Sequence, residues 1–202
     1  MSRNAEQNKK IHDERREKIL HHALRLFSSK GLHATKISDI AEKAEMSHGL
    51  LYHYFRSKEE IFTELVRDAF EKMNSAAKGL EASDMSPREK IRLAIIQLLR
   101  DIEEHEDFAC TIMLIAQAGV SEATPEEART IIHKESSVPY EVMERIFRAG
   151  QLDGSIRLHD ARELSLVFWT AIKGLALHKA VFGSDFKSPD PQVLMDMFFL
   201  QD

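Results

Sequence analysis

An all-helical chain in two parts, a small amino-terminal unit of three helices followed by a larger helical unit, is what this sequence predicts. Three observations predict it. Only 8 glycines and 5 prolines punctuate 202 residues, so long helices can run unbroken. Apolar residues recur at helical spacing, and no convincing run of period-two alternation competes. Helix-start signals also recur: a capping Ser, Thr or Asp followed by Pro, or by Glu three residues on.

Each element follows in order. From about Asn8, the residues Ile19, Ala23, Leu26 and Phe27 trace one face of a first helix, closed by Gly31 after Lys30. Thr35 is the expected N-cap of a second helix, 36–43, with Ile37, Ile40 and Ala41 turned inward. Ser47 caps a third, 48–55, and Ser57 with Glu60 opens a fourth, 58–80. Ser86-Pro87-Arg88-Glu89 opens 87–104, which is followed by 107–118. Thr124-Pro125-Glu126-Glu127 opens a helix at 125–149, in which Pro139 would produce a kink. Asp160 with Glu163 opens 161–182, and Ser188 to Pro191 opens the last, 190–200. Among the glycines near expected stops, Gly150 after Arg148 is the clearest. The domain division is placed at 1–60 and 61–202.

Charge divides at the same point. Residues 1–60 hold 12 Lys/Arg against 9 Asp/Glu, and residues 61–202 hold 16 against 24. Six of the ten histidines lie in the first segment. A basic module joined to an acidic body is the pattern of a nucleic-acid binder, which the net charge of −5 conceals. The single cysteine, Cys110, forms no internal disulfide and no thiolate zinc site alone, and reads as a buried small hydrophobe. The charged stretch Met1 to Lys18 has no apolar run of a signal peptide. No apolar span approaches the roughly 18 residues of a membrane helix. The longest, Leu164 to Leu177, is interrupted by Lys173 and Gly174. A cytoplasmic protein without a membrane partner is the expectation.

The chemistry concentrates in residues 48–55. On a helical wheel Leu51 and Phe55 share one face with Tyr54 at its edge, while Gly49, Leu50 and His53 look the other way, flanked by His48 and Tyr52. A short helix with its apolar side packed and imidazoles, a tyrosine and a glycine turned outward suits a major groove. The glycine permits close approach. Leu50 suits a thymine methyl, His48 a base edge or phosphate, and Tyr52 and His53 phosphates. Helix starts at Thr35 and Ser47 offer amides to the DNA backbone, and Lys58 adds a point charge. Lys9, Lys10, Arg15 and Arg16 are candidates for flanking phosphates.

The stretch from Thr35-Lys36-Ile37-Ser38-Asp39-Ile40-Ala41 to Ala44, with Ser47-His48-Gly49-Leu50-Leu51-Tyr52-His53-Tyr54-Phe55 and Ser57-Lys58-Glu59-Glu60-Ile61, resembles the TetR family helix-turn-helix. The likeness spans about fifty residues. It implies a homodimeric bacterial transcription regulator, usually a repressor released by a small ligand. It also implies that His48, Gly49 and Leu50 approach bases, and that Tyr52, His53, Tyr54 and Lys58 face phosphates with the start of the second helix. The DNA-binding set is therefore Thr35, Lys36, Ser47, His48, Gly49, Leu50, Tyr52, His53, Tyr54 and Lys58. Two positions depart from the pattern. Glu45 stands where the family usually has glycine, and a left-handed backbone there would cost a non-glycine residue roughly 1–2 kcal/mol. Leu50 stands where threonine is common, which favours apolar readout over hydrogen bonding.

Residues 61–202 carry no motif of that family. Helix 107–118 is apolar on nearly every side and so central. A kink at Pro139 would open space beside it, with Met113, Gln117, Tyr140, Met143, Phe147, Phe168, Trp169 and His178 lining a mostly apolar ligand pocket. The last two long helices carry more apolar surface than a thin domain buries alone. Leu164, Val167, Ala171, Gly174, Leu175, Phe182, Leu194 and Phe198 are the expected two-fold interface, a four-helix seam. The resulting expectation is an all-α chain, an N-terminal three-helix helix-turn-helix domain plus a larger helical ligand-binding and dimerisation domain. It would act as a homodimeric repressor on double-stranded palindromic DNA, released by a small apolar or amphipathic effector. The alternative is a DNA-bound activator or scaffold controlled by a protein partner. The histidines show no metal or nucleophile spacing, so neither an enzyme nor a cofactor is expected.

Overall fold

The computed structural model describes residues 2–200, with side chains from Glu6 onward. Ten α-helices follow in order: α1 (Ser2–Ala34), α2 (Ile37–Lys43), α3 (His48–Tyr52), α4 (Lys58–Ala82), α5 (Pro87–Glu104), α6 (Glu106–Val120), α7 (Glu126–Glu135), α8 (Val138–Leu152), α9 (Ala161–Phe182) and α10 (Pro191–Phe198). A 3₁₀ turn joins α9 to α10, and one antiparallel bridge pairs Ile156 with Phe199.

Most helix starts are built by the side chains that the sequence offers. Ser47 accepts from the Leu50 amide and Ser57 from the Glu60 amide, each at 3.2 Å. Ser86 and Glu89 form a complete capping box ahead of α5. Asp160 accepts from the Arg162 and Glu163 amides. Two expected caps are not caps. The Thr35 hydroxyl is fully buried and donates to the Gly31 carbonyl at 2.8 Å, leaving Lys36 at the N-cap of α2. The Thr124 hydroxyl is likewise buried and donates to Ala118. At the carboxy end, Asp190 rather than Ser188 caps α10, because the Ser188 hydroxyl donates to Leu99 instead.

The single kinked helix expected at 125–149 is two helices. The break falls at Ser136 and Ser137, so Pro139 occupies the first turn of α8, where its missing amide costs no helical bond. Nor does Gly150 stop α8. It is buried inside that helix, and the turn comes at Gly154 with φ 79°. Gly31, with φ 76°, does end the regular part of α1.

Two apolar cores organise the packing. The first joins Ile19, Phe27, Ile40, Leu51 and Phe55 to Phe62, Val66 and Phe70 of α4, and reaches Leu114 of α6 and Ala128 of α7. It therefore extends well past residue 60. The second lies among α5, α6, α8, α9 and α10, around Phe147, Phe168 and Phe198. Helix α6 serves both, which is why it is apolar nearly all round. Helix α9 with the turn after it, 161–185, does have the length and mean hydropathy of a membrane-crossing segment. It lies against the second core with Phe168, Trp169, Ile172 and Ala176 buried.

Candidate DNA-binding surface and effector cavity

Helix α3 is short because it is pinned at both ends. Ser47 caps its start, and Leu51, fully buried, anchors its middle. Phe55 follows into the same core, beneath the guanidinium of Arg16. What remains outward is the expected set: Lys36, Ser47, His48, Gly49, Tyr52 and His53 are exposed, and Leu50 is half-buried. Tyr54 is half-buried with its ring 4.6 Å from that of His12.

Two assigned contacts change, those of Arg16 and Lys58. The Thr35 hydroxyl is enclosed and already bonded, so the start of α2 has backbone amides alone to offer to DNA. Arg16 is committed to an ion pair with Glu64. The Lys58 ammonium donates to the carbonyls of Leu32 (2.8 Å), His33 (3.1 Å) and Thr35 (2.8 Å). Its three donors are thus aimed at the backbone between α1 and α2, so Lys58 fixes the loop that places α2 instead of standing free for a phosphate.

The turn between α2 and α3 contains Glu45 at φ 56°, the one non-glycine residue with positive φ among the described residues. Its carboxylate meets Lys18 at 2.6 Å, and that hydrogen bond holds the carboxyl below its ordinary range.

Helix α1 connects this surface to the rest. His21 Nδ1 lies 2.7 Å from an Asp107 carboxylate oxygen at the start of α6, and Arg25 pairs with Glu106 at 2.8 Å and Asp107 at 3.3 Å. Further along, Gln117 donates to the Ser28 carbonyl. These contacts tie α6 to α1, which carries the core on which α3 sits.

Beside this seam lies a cavity of about 1010 Å³ walled by α1, α4, α5, α6, α8 and α9. Its space arises from small side chains: Ala69, Ala76 and Ala77 on α4 and Ala94 on α5 leave room that larger residues would fill. Met73, Leu98, Phe108, Val142, Met143 and Trp169 make the walls apolar. At the α1 side stand His21, Asp107 and Asp68, whose carboxyl is pushed up by burial and by nearby Glu64.

Of the expected pocket residues, Met143 and Trp169 line this cavity. The others do not. Phe147 and Phe168 are buried against each other and Phe198 in the closed second core. Gln117 holds α1, Met113 is half-buried away from the cavity, and His178 is exposed and stacked on Phe182. Tyr140 stands behind the wall, its hydroxyl accepting from Lys173, which does line the cavity. The wall from α1 and α4 was missed. Its signal was the run of alanines at helical spacing in α4, too small to close a core.

The expected interface residues also divide. Leu164, Leu194 and Phe198 are buried within this chain, and Ala171 and Leu175 are half-buried against its core. Val167, Gly174 and Phe182 lie exposed on α9, on a face continued by Val181 and by Leu166, the latter missed. Val193 and Met197 of α10 are exposed as well.

Residues 19–65 match the family described as bacterial regulatory proteins, tetR family. The HTH-type transcriptional repressor KstR2 of Rhodococcus jostii (strain RHA1) is 28% identical over 164 residues, 79% of this chain and 78% of that one. KstR2 of Mycobacterium tuberculosis (strain ATCC 25618 / H37Rv) is 34% identical over 91 residues, 45% of this chain and 46% of its own. With the regulator YuxN of Bacillus subtilis (strain 168), the match covers 33% of the relative's length. Thus the chain spans half or less of several curated relatives it matches. Among solved structures, KstR2 of M. tuberculosis superimposes with TM-score 0.74 at 21% identity, covering 93% of this chain and 96% of that chain. A complex of SmeT with triclosan superimposes with TM-score 0.72 at 18% identity, covering 93% of each. At such identities these structures establish the shared fold.

Proposed function

Since the chain belongs to the TetR family of transcriptional regulators, we propose that it is a homodimeric repressor of the bacterial cytoplasm. In this reading it binds a palindromic operator through α3 and leaves it when a small apolar or amphipathic molecule enters the cavity.

The observation that carries this reading is that α1 forms part of the cavity wall and of the support for α3. Leu20, His21 and Leu24 line the cavity, while Ile19, Ala23 and Phe27 of the same helix belong to the core beneath Leu51. A molecule bound between α1, α4 and α6 acts directly on the placement of α3. It need only prefer the spacing of the two recognition helices that fits DNA badly, and coupling of about 1–3 kcal/mol is enough for regulation. An activator or scaffold controlled by a protein partner would leave a cavity of this size without a role. The apolar walls accord with the triclosan complex of SmeT and with the description of KstR2 as a ketosteroid regulator.

In a dimer the exposed apolar face of α9 and α10 meets its own copy, and the two α3 helices address half-sites about one duplex turn, roughly 34–36 Å, or a larger spacing apart. His48, Gly49 and Leu50 read bases. Lys36, Ser47, Tyr52, His53 and the edge of Tyr54 hold the phosphates.

Selection of bound duplexes from a random DNA pool, followed by titration of the recovered site at two salt concentrations, tests the reading. A palindrome bound by two chains, more weakly at higher salt, is the expected result. No enrichment by folded protein would overturn it.

A further inference from the structure

Two lysines line the cavity without an ion pair among the described residues: Lys72, which is exposed and near Asp68, and Lys173, which is half-buried. Lys173 projects from α9 into the cavity wall next to Trp169 and Ile172. Its ammonium is bonded to the Tyr140 hydroxyl at 2.9 Å and lies 4.9 Å from the centre of that ring. Among the described residues, no carboxylate lies within ion-pairing distance of it, and its own helix places Trp169, Thr170, Ala176 and Leu177 one turn away on either side. The cavity's other charges are mostly engaged elsewhere. Lys18 pairs with Glu45, Asp107 with His21 and Arg25, Asp101 with His105, and Glu14 with Lys10.

A half-buried ammonium has three donors, and a phenol oxygen with its ring occupies one side of it. Such a group is costly to desolvate and gains most from an anion brought in with an apolar body that excludes water. We propose that the effector is an amphipathic anion, a carboxylate or equivalent oxyanion on an apolar body, and that Lys173 selects it. The apolar body lies along Met73, Val142, Met143 and Trp169, and the oxyanion accepts from the Lys173 ammonium while Tyr140 holds that ammonium in place. This rests on the cavity being the effector site, as proposed above.

Trp169 is the single tryptophan of the sequence and stands in the cavity wall, so its fluorescence reports occupancy. The full-length protein is titrated with dodecanoate, dodecanol and dodecyltrimethylammonium below their micelle concentrations. Dodecanoate should bind at least about tenfold more tightly than dodecanol, the scale of a charge-assisted hydrogen bond. The preference should vanish in Lys173→Met and in Lys173→Gln, which keeps a donor for Tyr140, and persist in Lys173→Arg and Tyr140→Phe. Circular dichroism identifies any variant that has lost its fold. Equal binding of acid and alcohol, or a preference that survives both neutral variants, overturns the role of Lys173. Tightest binding of the cation overturns the anionic class and assigns selection to acids such as Asp68. No response to any of the three by folded protein overturns the cavity reading itself, and the anion proposal with it.

Discussion

The Lys58 ammonium lies 2.8 Å from the Thr35 carbonyl, joining the first residue of α4 to the loop that launches α2. Two further carbonyls, of Leu32 and His33, complete the site. A cation here neutralises the backbone acceptors left at the end of α1, a stabilising arrangement. Lys58→Met should destabilise the folded protein by about 1–3 kcal/mol, as loss of charged hydrogen bonds does. Urea unfolding without DNA measures it. Unchanged stability together with lost operator binding would return Lys58 to a phosphate contact.

Gly150 is fixed by close packing. A Cβ at this position would fall inside van der Waals contact of Ile156 Cγ1 and 3.2 Å from Pro87 Cβ, with Ile156 fully buried. The atoms met are Ile156 Cγ1 and Cβ and Pro87 Cβ, close to the backbone and not the far end of a flexible side chain. Gly150→Ala should cost about 1–3 kcal/mol as overpacking does, despite the higher helix propensity of alanine. A stabilised variant in thermal melting would show that the α5 to α8 contact relaxes freely.

Val181 and Phe198 should respond differently to charge. Val181 is 70% exposed on α9, whereas Phe198 is 1% exposed among Phe147 and Phe168. Val181→Glu is expected to yield folded monomers in sedimentation, because it charges the outward apolar face without touching the core. Phe198→Glu is expected to leave little folded protein. A Val181→Glu dimer of unchanged affinity would remove this face as the two-fold interface.

Acid should loosen α4 from α8. Glu81 receives two bonds from Arg145, at 2.6 and 2.9 Å, and its carboxyl is held below the ordinary 4.5 by that pair. The unfolded chain therefore binds the proton more readily, and the pair's stabilisation is present above pH 4.5 and is lost as pH falls through the lowered value. Both side chains are partly exposed, so solvent screening limits the effect to about 0.2–1 kcal/mol. Comparing wild-type protein with Arg145→Met at pH 7 and pH 3.5 checks this: the stability gap should narrow at the lower pH.

Much of this was written locally. Ser47, Ser57, Ser86 and Asp160 announce helix starts because a capping bond involves residues within three positions, and each bond forms. The left-handed backbone at Glu45 was also legible, from a family pattern with glycine at that turn, and φ there is 56°. The exposed face of α3 followed from periodicity alone, since Leu51 and Phe55 had to turn inward. Where a local signal had a distant competitor, the reading failed. The hydroxyls of Thr35 and Thr124 look like caps but sit where buried carbonyls accept them. Pro139 looks like a kink, but the chain breaks earlier at two serines and uses the proline to begin a helix.

Most helix starts, the outward face of α3 and the family pattern of the amino-terminal segment were determined by the sequence itself, because they depend on near neighbours and on the period of one helix, whereas the number of helices was not, one expected helix being two. Tertiary structure alone decided which of several apolar stripes is core, cavity or outer face. Phe168, Trp169 and Val167 are consecutive on one apolar helix, yet one is enclosed, one walls the cavity and one is exposed. That difference is set by which helices lie opposite, and by the alanines of α4 that leave space where larger side chains would have closed it.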